Sequence, residues 1–241
     1  MTRRVALLSA FAAALATSGV PAMAVEPQAV VELFTSQGCS SCPPADKLAG
    51  ELSRDPSLVV LSLPVDYWDY LGWKDTLASP RNSAKQRAYS AMRGDRDVYT
   101  PQVVVNGEEH VLGSDKAAIE RAILRTRASA MNVPVTLTKL GDRLTVSVPD
   151  GNGRGEVWLC SVATTIPVAI GRGENKGRTI TYNNVSRGLV KLGEWTGKAS
   201  TWTVPLNEIR RDGADAAAAL VQSGSVQKPG PILGAAMTSL D

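Results

Sequence analysis

Histidine is almost absent from this chain, and its scarcity removes whole classes of chemistry: His110 is the single histidine among 241 residues. A Ser-His-Asp hydrolase would rest on that one position, and no G-x-S-x-G elbow accompanies it. Cysteine is scarce too, with three residues, too few for a disulfide scaffold. Charge of one sign is lacking: 26 Lys and Arg against 23 Asp and Glu leave a formal charge of +3. No strong basic field exists to hold nucleic acid or an anionic membrane. No apolar run reaches the roughly 20 residues that a bilayer-spanning helix needs. The glycine-rich stretch Gly171–Thr179 misses the G-x-x-x-x-G-K-[ST] spacing of a nucleotide loop and reads as a solvated turn, with a cationic hairpin surface of Arg172, Lys176 and Arg178, or a place in the domain interface, as the alternative if the loop is ordered against the CxxC face. Internal repeats and low-complexity linkers are also missing, and the hydrophobic fraction of 44% is ordinary for a globular chain.

What is present begins with an export pattern. Met1-Thr2-Arg3-Arg4 is a short basic start, Val5 to Ala16 is apolar, and Ala22-Met23-Ala24 is a small-residue cleavage site. Residues 1–24 are expected to be a cleaved signal peptide, and Thr2-Arg3-Arg4 with Leu7-Leu8 faintly resembles a twin-arginine signal. No cysteine follows the cleavage site to carry a lipid anchor. The expected location is therefore periplasmic or secreted, where disulfides persist. Loss of Arg3 and Arg4 lowers the formal charge further, and the remaining chain suffices for two modest domains or one large one.

Cys39-Ser40-Ser41-Cys42 is the pattern richest in chemistry. The strand-like run Val30-Val31-Glu32-Leu33-Phe34 leads into it. Ala45, Leu48, Ala49 and Leu52 follow at i, i+3, i+4 and i+7, the stripe of an amphipathic helix. Pro43 and Pro44 fit a first turn, where a missing N–H is harmless. A thiol at a helix N-terminus has its thiolate stabilised by unpaired N–H groups and the positive end of the dipole. Cys39 is then the attacking thiol and Cys42 the resolving one. Cys160 lies far from the pair, on the same strand face as Trp158 and Val162; it reads as a buried inert thiol, with a resolving or intermolecular role as the alternative.

Further elements follow in order. Leu58–Leu63 reads as a buried strand, 81–92 as a helix, and Thr100–Val105 as a strand opening with proline. Asn106-Gly107 is a hairpin turn, His110–Leu112 a returning strand, and 115–127 a helix capped by Ser114. From about Met131 the pattern changes to short strands divided by Gly, Asn and Asp, which predicts an antiparallel, sandwich-like domain over 132–241. Ala214–Gln222 fits helix by propensity or strand by context.

The order of strand, CxxC, helix, strand, insertion, Pro-strand, strand and helix over residues 25–131 resembles the thioredoxin fold, an α/β architecture. That resemblance makes Pro101 the candidate cis-proline beside the sulfurs, with Thr100 before it as a substrate contact. It also puts Glu32 where thioredoxins hold a buried carboxylate that exchanges a proton with the resolving thiol; a salt-bridged or edge-facing Glu is the alternative. A closer likeness rests on Glu32–Asp46, Val65–Asp75, Tyr99–Gln102 and Gly171–Thr179. These segments resemble a secreted bacterial family of thioredoxin-like proteins called domain of unknown function twelve-twenty-three. In that family histidine often stands where this chain has Pro64.

The insertion 64–99 is rich in aromatics, and Tyr67, Trp68 and Trp73 are candidate substrate contacts or members of a local core. Asp66, Asp69 and Asp75 lack the spacing of a calcium loop. The expectation is an exported thiol:disulfide oxidoreductase with Cys39, Cys42, Pro101 and Glu32 at its site. Its partner would be a protein or small-molecule thiol or disulfide; no cofactor, metal, nucleic acid or membrane anchor is expected. A Cu(I)-binding or delivery protein, with His110 approaching the thiolates, and a non-catalytic module with a structural disulfide are the alternatives.

Overall fold

A computed structural model of the chain describes residues 26–210 and 212–241. The signal peptide expected over residues 1–24 lies outside the described residues. No described helix is long and apolar enough to cross a membrane.

The first half builds β1 (Ala29–Thr35), α1 (Pro43–Leu52) and β2 (Leu58–Pro64), then a 3-10 turn at Asp69–Leu71 and α2 (Pro80–Arg93). It closes with β3 (Gln102–Val105), β4 (Glu109–Leu112) and α3 (Lys116–Thr126). β1 lies between a parallel β2 and an antiparallel β3, and all seven of its residues are buried. Val31 and Leu33 point to α1 and α3, joining Ala45, Leu48, Ala49 and Ile119. Phe34 points the other way, into a cluster with Tyr89 of α2. Truncating a side chain such as Leu33 to Ala would cost about 2–5 kcal/mol. The 106–107 turn forms as expected, Asn106 and Gly107 both taking positive φ (51° and 73°). The cap of α3 is a correction: Asp115, not Ser114, accepts the Ala118 N–H through Oδ1 at 2.9 Å.

The second half supplies β5 (Thr136–Leu140), β6 (Arg143–Val148), β7 (Gly155–Ala169), β8 (Thr179–Trp195), β9 (Ser200–Pro205), the short α4 (Leu206–Ile209), β10 (Ala216–Ser225) and β11 (Lys228–Ser239). The strands are antiparallel to one another, as expected, but most do not form a sheet of their own. One mixed eight-stranded sheet runs β11-β10-β7-β8-β2-β1-β3-β4, so residue 132 marks no break in it. The junction is narrow: Ser62 of β2 pairs with Val185 of β8, and the Ser62 hydroxyl donates to the Asn183 carbonyl at 2.7 Å. Only β5-β6-β9 forms a second sheet. It lies on β7 and β10 around Leu144, Val146, Leu159 and Ala219, which gives the sandwich-like packing.

Ala214–Gln222 resolves as strand. Ala216 to Ala219 are at most 2% exposed, held between β7 and β11, so packing on both faces overrides the helical propensity of alanine. Not all strands of this half are as short as expected: Thr179–Trp195 is one bulged ribbon, β8, paired along β7.

Candidate functional site

The chain leaves β1 at Thr35, turns through Ser36-Gln37-Gly38 and reaches Cys39. Cys39 and Cys42 form a disulfide with Cα atoms 5.4 Å apart. Cys42 is the N-cap of α1 and Pro43 its first residue; the Cys42 carbonyl accepts N–H groups from Ala45 at 2.9 Å and Asp46 at 3.1 Å. The Ser41 hydroxyl lies 3.4 Å from Cys39 Sγ. Ser40 and Ser41 are exposed, whereas both cysteines are 0% exposed. The disulfide thus sits at a helix N-terminus but beneath a cover.

Much of that cover comes from a distant part of the chain. Asn175, itself 0% exposed, donates through Nδ2 to the carbonyls of Gln37 at 3.0 Å and Cys39 at 2.9 Å. Its neighbour Glu174 accepts the Ser40 N–H at 3.1 Å. Gly171 and Gly173 lie against Trp73, where an added Cβ would come within 3.1 and 3.3 Å of that side chain. The glycine-rich loop expected as a solvated turn is therefore docked on the CxxC turn. Sequence alone offers no pairing signal across 136 residues.

The aromatic insertion docks beside it. Trp73 Nε1 donates to Gln37 Oε1 and Trp68 Nε1 to Thr100 Oγ1, both at 2.8 Å. Tyr67 donates to Gln86 Oε1 at 3.1 Å, and Tyr67 and Trp68 pack on the Phe34–Tyr89 cluster. These rings serve a local core and also join the CxxC turn to the Thr100–Pro101 segment. The Thr100–Pro101 peptide bond is cis. Pro101 is buried; a Cβ placed on Gly113 would meet Leu33, Pro101 and Ala45 together, which sets the proline next to the first turn of α1.

Beneath the CxxC turn lies a buried polar nest that sequence reasoning missed. Asp46 is 2% exposed and stands four residues after Cys42, on the same side of α1. Its Oδ1 accepts from the Thr35 hydroxyl at 2.6 Å, and its Oδ2 has no partner. Burial pushes the Asp46 carboxyl up to about 7; the Thr35 hydrogen bond opposes this and the charge of nearby Asp75 adds to it. Asp75 accepts N–H groups from Gln37 and Leu77, each at 2.8 Å, and burial raises its carboxyl as well. The buried Tyr182 hydroxyl is also unpartnered, and its ionisation is opposed by burial and then by both aspartates. The nest thus places a buried carboxyl, raised to about 7, one helical turn beyond Cys42.

Glu32 requires a correction. Alternation along β1 turns it to the α2 face, away from Ala45 and α1. There it accepts from Lys85 Nζ at 2.5 Å and from the Tyr89 hydroxyl at 2.6 Å, which in turn accepts from Gln222 at 2.8 Å. The salt-bridged alternative describes it. Cys160 is buried, 3.1 Å from the Ser186 hydroxyl, and burial raises its thiol to about 11, the property of an inert cysteine. His110 has both ring nitrogens engaged: Nδ1 faces the Tyr99 hydroxyl at 3.0 Å and Gln102 at 3.1 Å, and Nε2 faces Asp95 at 3.3 Å. It brings no third ligand to the sulfur pair. Asp95, Asp97 and His110 do bring ligand atoms within 4.8 Å of one another, with Arg93 already paired to Asp95.

The family described as Protein of unknown function (DUF1223) matches residues 30–222. Among solved structures, an X-ray crystal structure of a protein from Agrobacterium tumefaciens, a structural genomics target, is similar at 32% identity and a TM-score of 0.81, covering 90% of this chain and 96% of that one. HBP35 of Porphyromonas gingivalis is similar at 14% identity and a TM-score of 0.56, over 89% of this chain and 76% of that one, a likeness that speaks to the fold alone. No curated protein matches.

Proposed function

The chain belongs to this family of unknown function (DUF1223), and within it we propose a thiol:disulfide oxidoreductase with a thioredoxin-like active half, working after export. The observation that carries the proposal is the Cys39–Cys42 disulfide at the N-terminus of α1, with Asp46 buried one helical turn beyond Cys42.

In the oxidising direction, a substrate thiolate attacks Cys39 Sγ and the Cys39–Cys42 bond breaks. The electron pair leaves on Cys42, which takes a proton from Asp46. A second substrate thiol loses its proton and attacks the substrate sulfur of the mixed disulfide, releasing Cys39 as a thiolate stabilised by the helix N-terminus. The substrate dithiol has lost two electrons and the CxxC pair has gained them. Reduction of a substrate disulfide runs the same steps backwards. Asp46 suits the transfer because a proton donor works best with a pKa near the ambient pH. Thr100, Pro101 and Trp68 border the site and are the proposed substrate contacts.

Complete burial of both cysteines supports a second reading, a binding module with a structural disulfide. On the first reading the Asn175 loop must move aside for a partner; on the second it is a permanent cover. Equilibration of the folded protein in glutathione buffers separates them. Reversible conversion between dithiol and disulfide, with a glutathione adduct on Cys39, supports the oxidoreductase; a disulfide that reacts only under unfolding conditions supports the module.

A further inference from the structure

A cavity lies on the opposite face of the large sheet from α1 and the CxxC turn. Its volume is about 670 Å³, inside the range of small-molecule sites. The floor is the sheet face of β2, β7, β8 and β10, and α2 with the segment before it forms the wall. Leu61, Leu63, Leu77, Trp158, Leu189 and Leu220 give it an apolar lining. Cys39, Cys42, Asp46 and Pro101 are not among the lining residues, so this site is separate from the disulfide.

The charges on the wall decide what it fits. Glu32 is neutralised by Lys85 and hydrogen-bonded by Tyr89, and Glu156 is paired with Lys191. Two guanidinium groups remain. Arg81 reaches from α2 to the Leu189 carbonyl at 3.4 Å, and Arg187 donates through Nε to the Asp212 carbonyl at 3.2 Å. Neither has a carboxylate partner among the described residues. Residues 187 and 189 are two apart on β8, so both arginines stand at one end of the cavity, with Lys85 one helical turn from Arg81. The remaining acidic oxygen, Glu156 Oε2, is buried without a partner on β7. Gly188 is in register with Ser161, which sets Glu156 about five residues along the ribbon from the arginine end. That is roughly 16 Å of strand, beyond the range of strong repulsion at physiological salt.

We propose that this cavity binds a single-chain amphipathic carboxylate of the fatty-acid type, its anion held by Arg81 and Arg187 and its chain laid over Trp158 and Leu220. A planar guanidinium matches a carboxylate with two parallel hydrogen bonds, and an apolar trough beyond it removes the chain from water. The cationic end rejects an amphiphile of opposite charge.

The test is calorimetric titration of the folded, oxidised protein with dodecanoate and with dodecyltrimethylammonium, both below their aggregation thresholds. Saturable binding of one dodecanoate per chain is expected, at least about tenfold tighter than the cation, with a change in fluorescence that Trp158→Phe abolishes. Losing both arginine contacts in Arg81→Gln with Arg187→Gln should weaken dodecanoate about tenfold or more. Ala84→Trp, at an exposed helix position on the cavity wall, should block binding while thermal unfolding stays unchanged. Absence of saturable dodecanoate binding, equal affinity for the two amphiphiles, or binding indifferent to both the arginine pair and Ala84→Trp would overturn the proposal.

Discussion

Replacing Asp46 with Asn should remove a contribution to stability that falls between acid and neutral pH. In the folded chain burial raises the Asp46 carboxyl from an ordinary 3.8 to about 7. Between those values the native state keeps a proton that the unfolded chain has released. The contribution of Asp46 to stability is therefore fullest below the unfolded value, declines as pH rises through the window, and levels off above about 7. The gap corresponds to on the order of 4 kcal/mol, with little screening because the group is buried. Asparagine has the same shape, keeps the acceptor for the Thr35 hydroxyl and cannot ionise, so it should retain the acid-side stability and lose most of the decline. Asp75 is raised in the same direction and stays in both proteins, so the difference between the two curves reports Asp46 together with its charge coupling to Asp75. Urea unfolding of the oxidised proteins at several pH values measures it. Curves that stay parallel for wild type and variant across the window would overturn the assignment of the raised carboxyl to Asp46.

Other outcomes follow from the same contacts. Lys85→Met should destabilise by about 3–5 kcal/mol, because Glu32 is left charged and unpaired in the sheet; adding Glu32→Gln should recover much of the loss in a double-mutant cycle. Asn175→Ala removes two buried hydrogen bonds and should cost about 1–3 kcal/mol by urea unfolding while raising the rate at which dithiothreitol reduces the disulfide. An unchanged reduction rate would show that the loop does not limit access. Cys160→Ala should leave disulfide exchange by Cys39 and Cys42 unaltered, as measured by thiol labelling.

How far the sequence carried depends on where the deciding contacts lie. The helix after the CxxC pair was legible because its apolar stripe and its prolines are local signals. The face of Glu32 was not, because β1 is buried on both sides and shows no alternation to read. Asp46 stands beside that stripe, and its burial comes from packing of α1 on β1, β2 and the remote β8; its i, i+4 spacing from Cys42 was the one local clue. Asn175 and Glu174 reach the site from the far half of the chain, which no periodicity reports. The continuity of the sheet between the halves was hidden for a similar reason, since a single ladder pair of β2 and β8 carries it.

On the proposed function, Cys39 exchanges disulfides from within the folded protein. Cys42→Ser, incubated with a thiol-reactive peptide disulfide and analysed by mass spectrometry of the folded chain, tests it directly. A stable peptide adduct on Cys39 is expected, formed faster as Cys39 loses its proton, and resolved within the folded chain when Cys42 is present. A Cys39 that stays unmodified until the protein unfolds would contradict it.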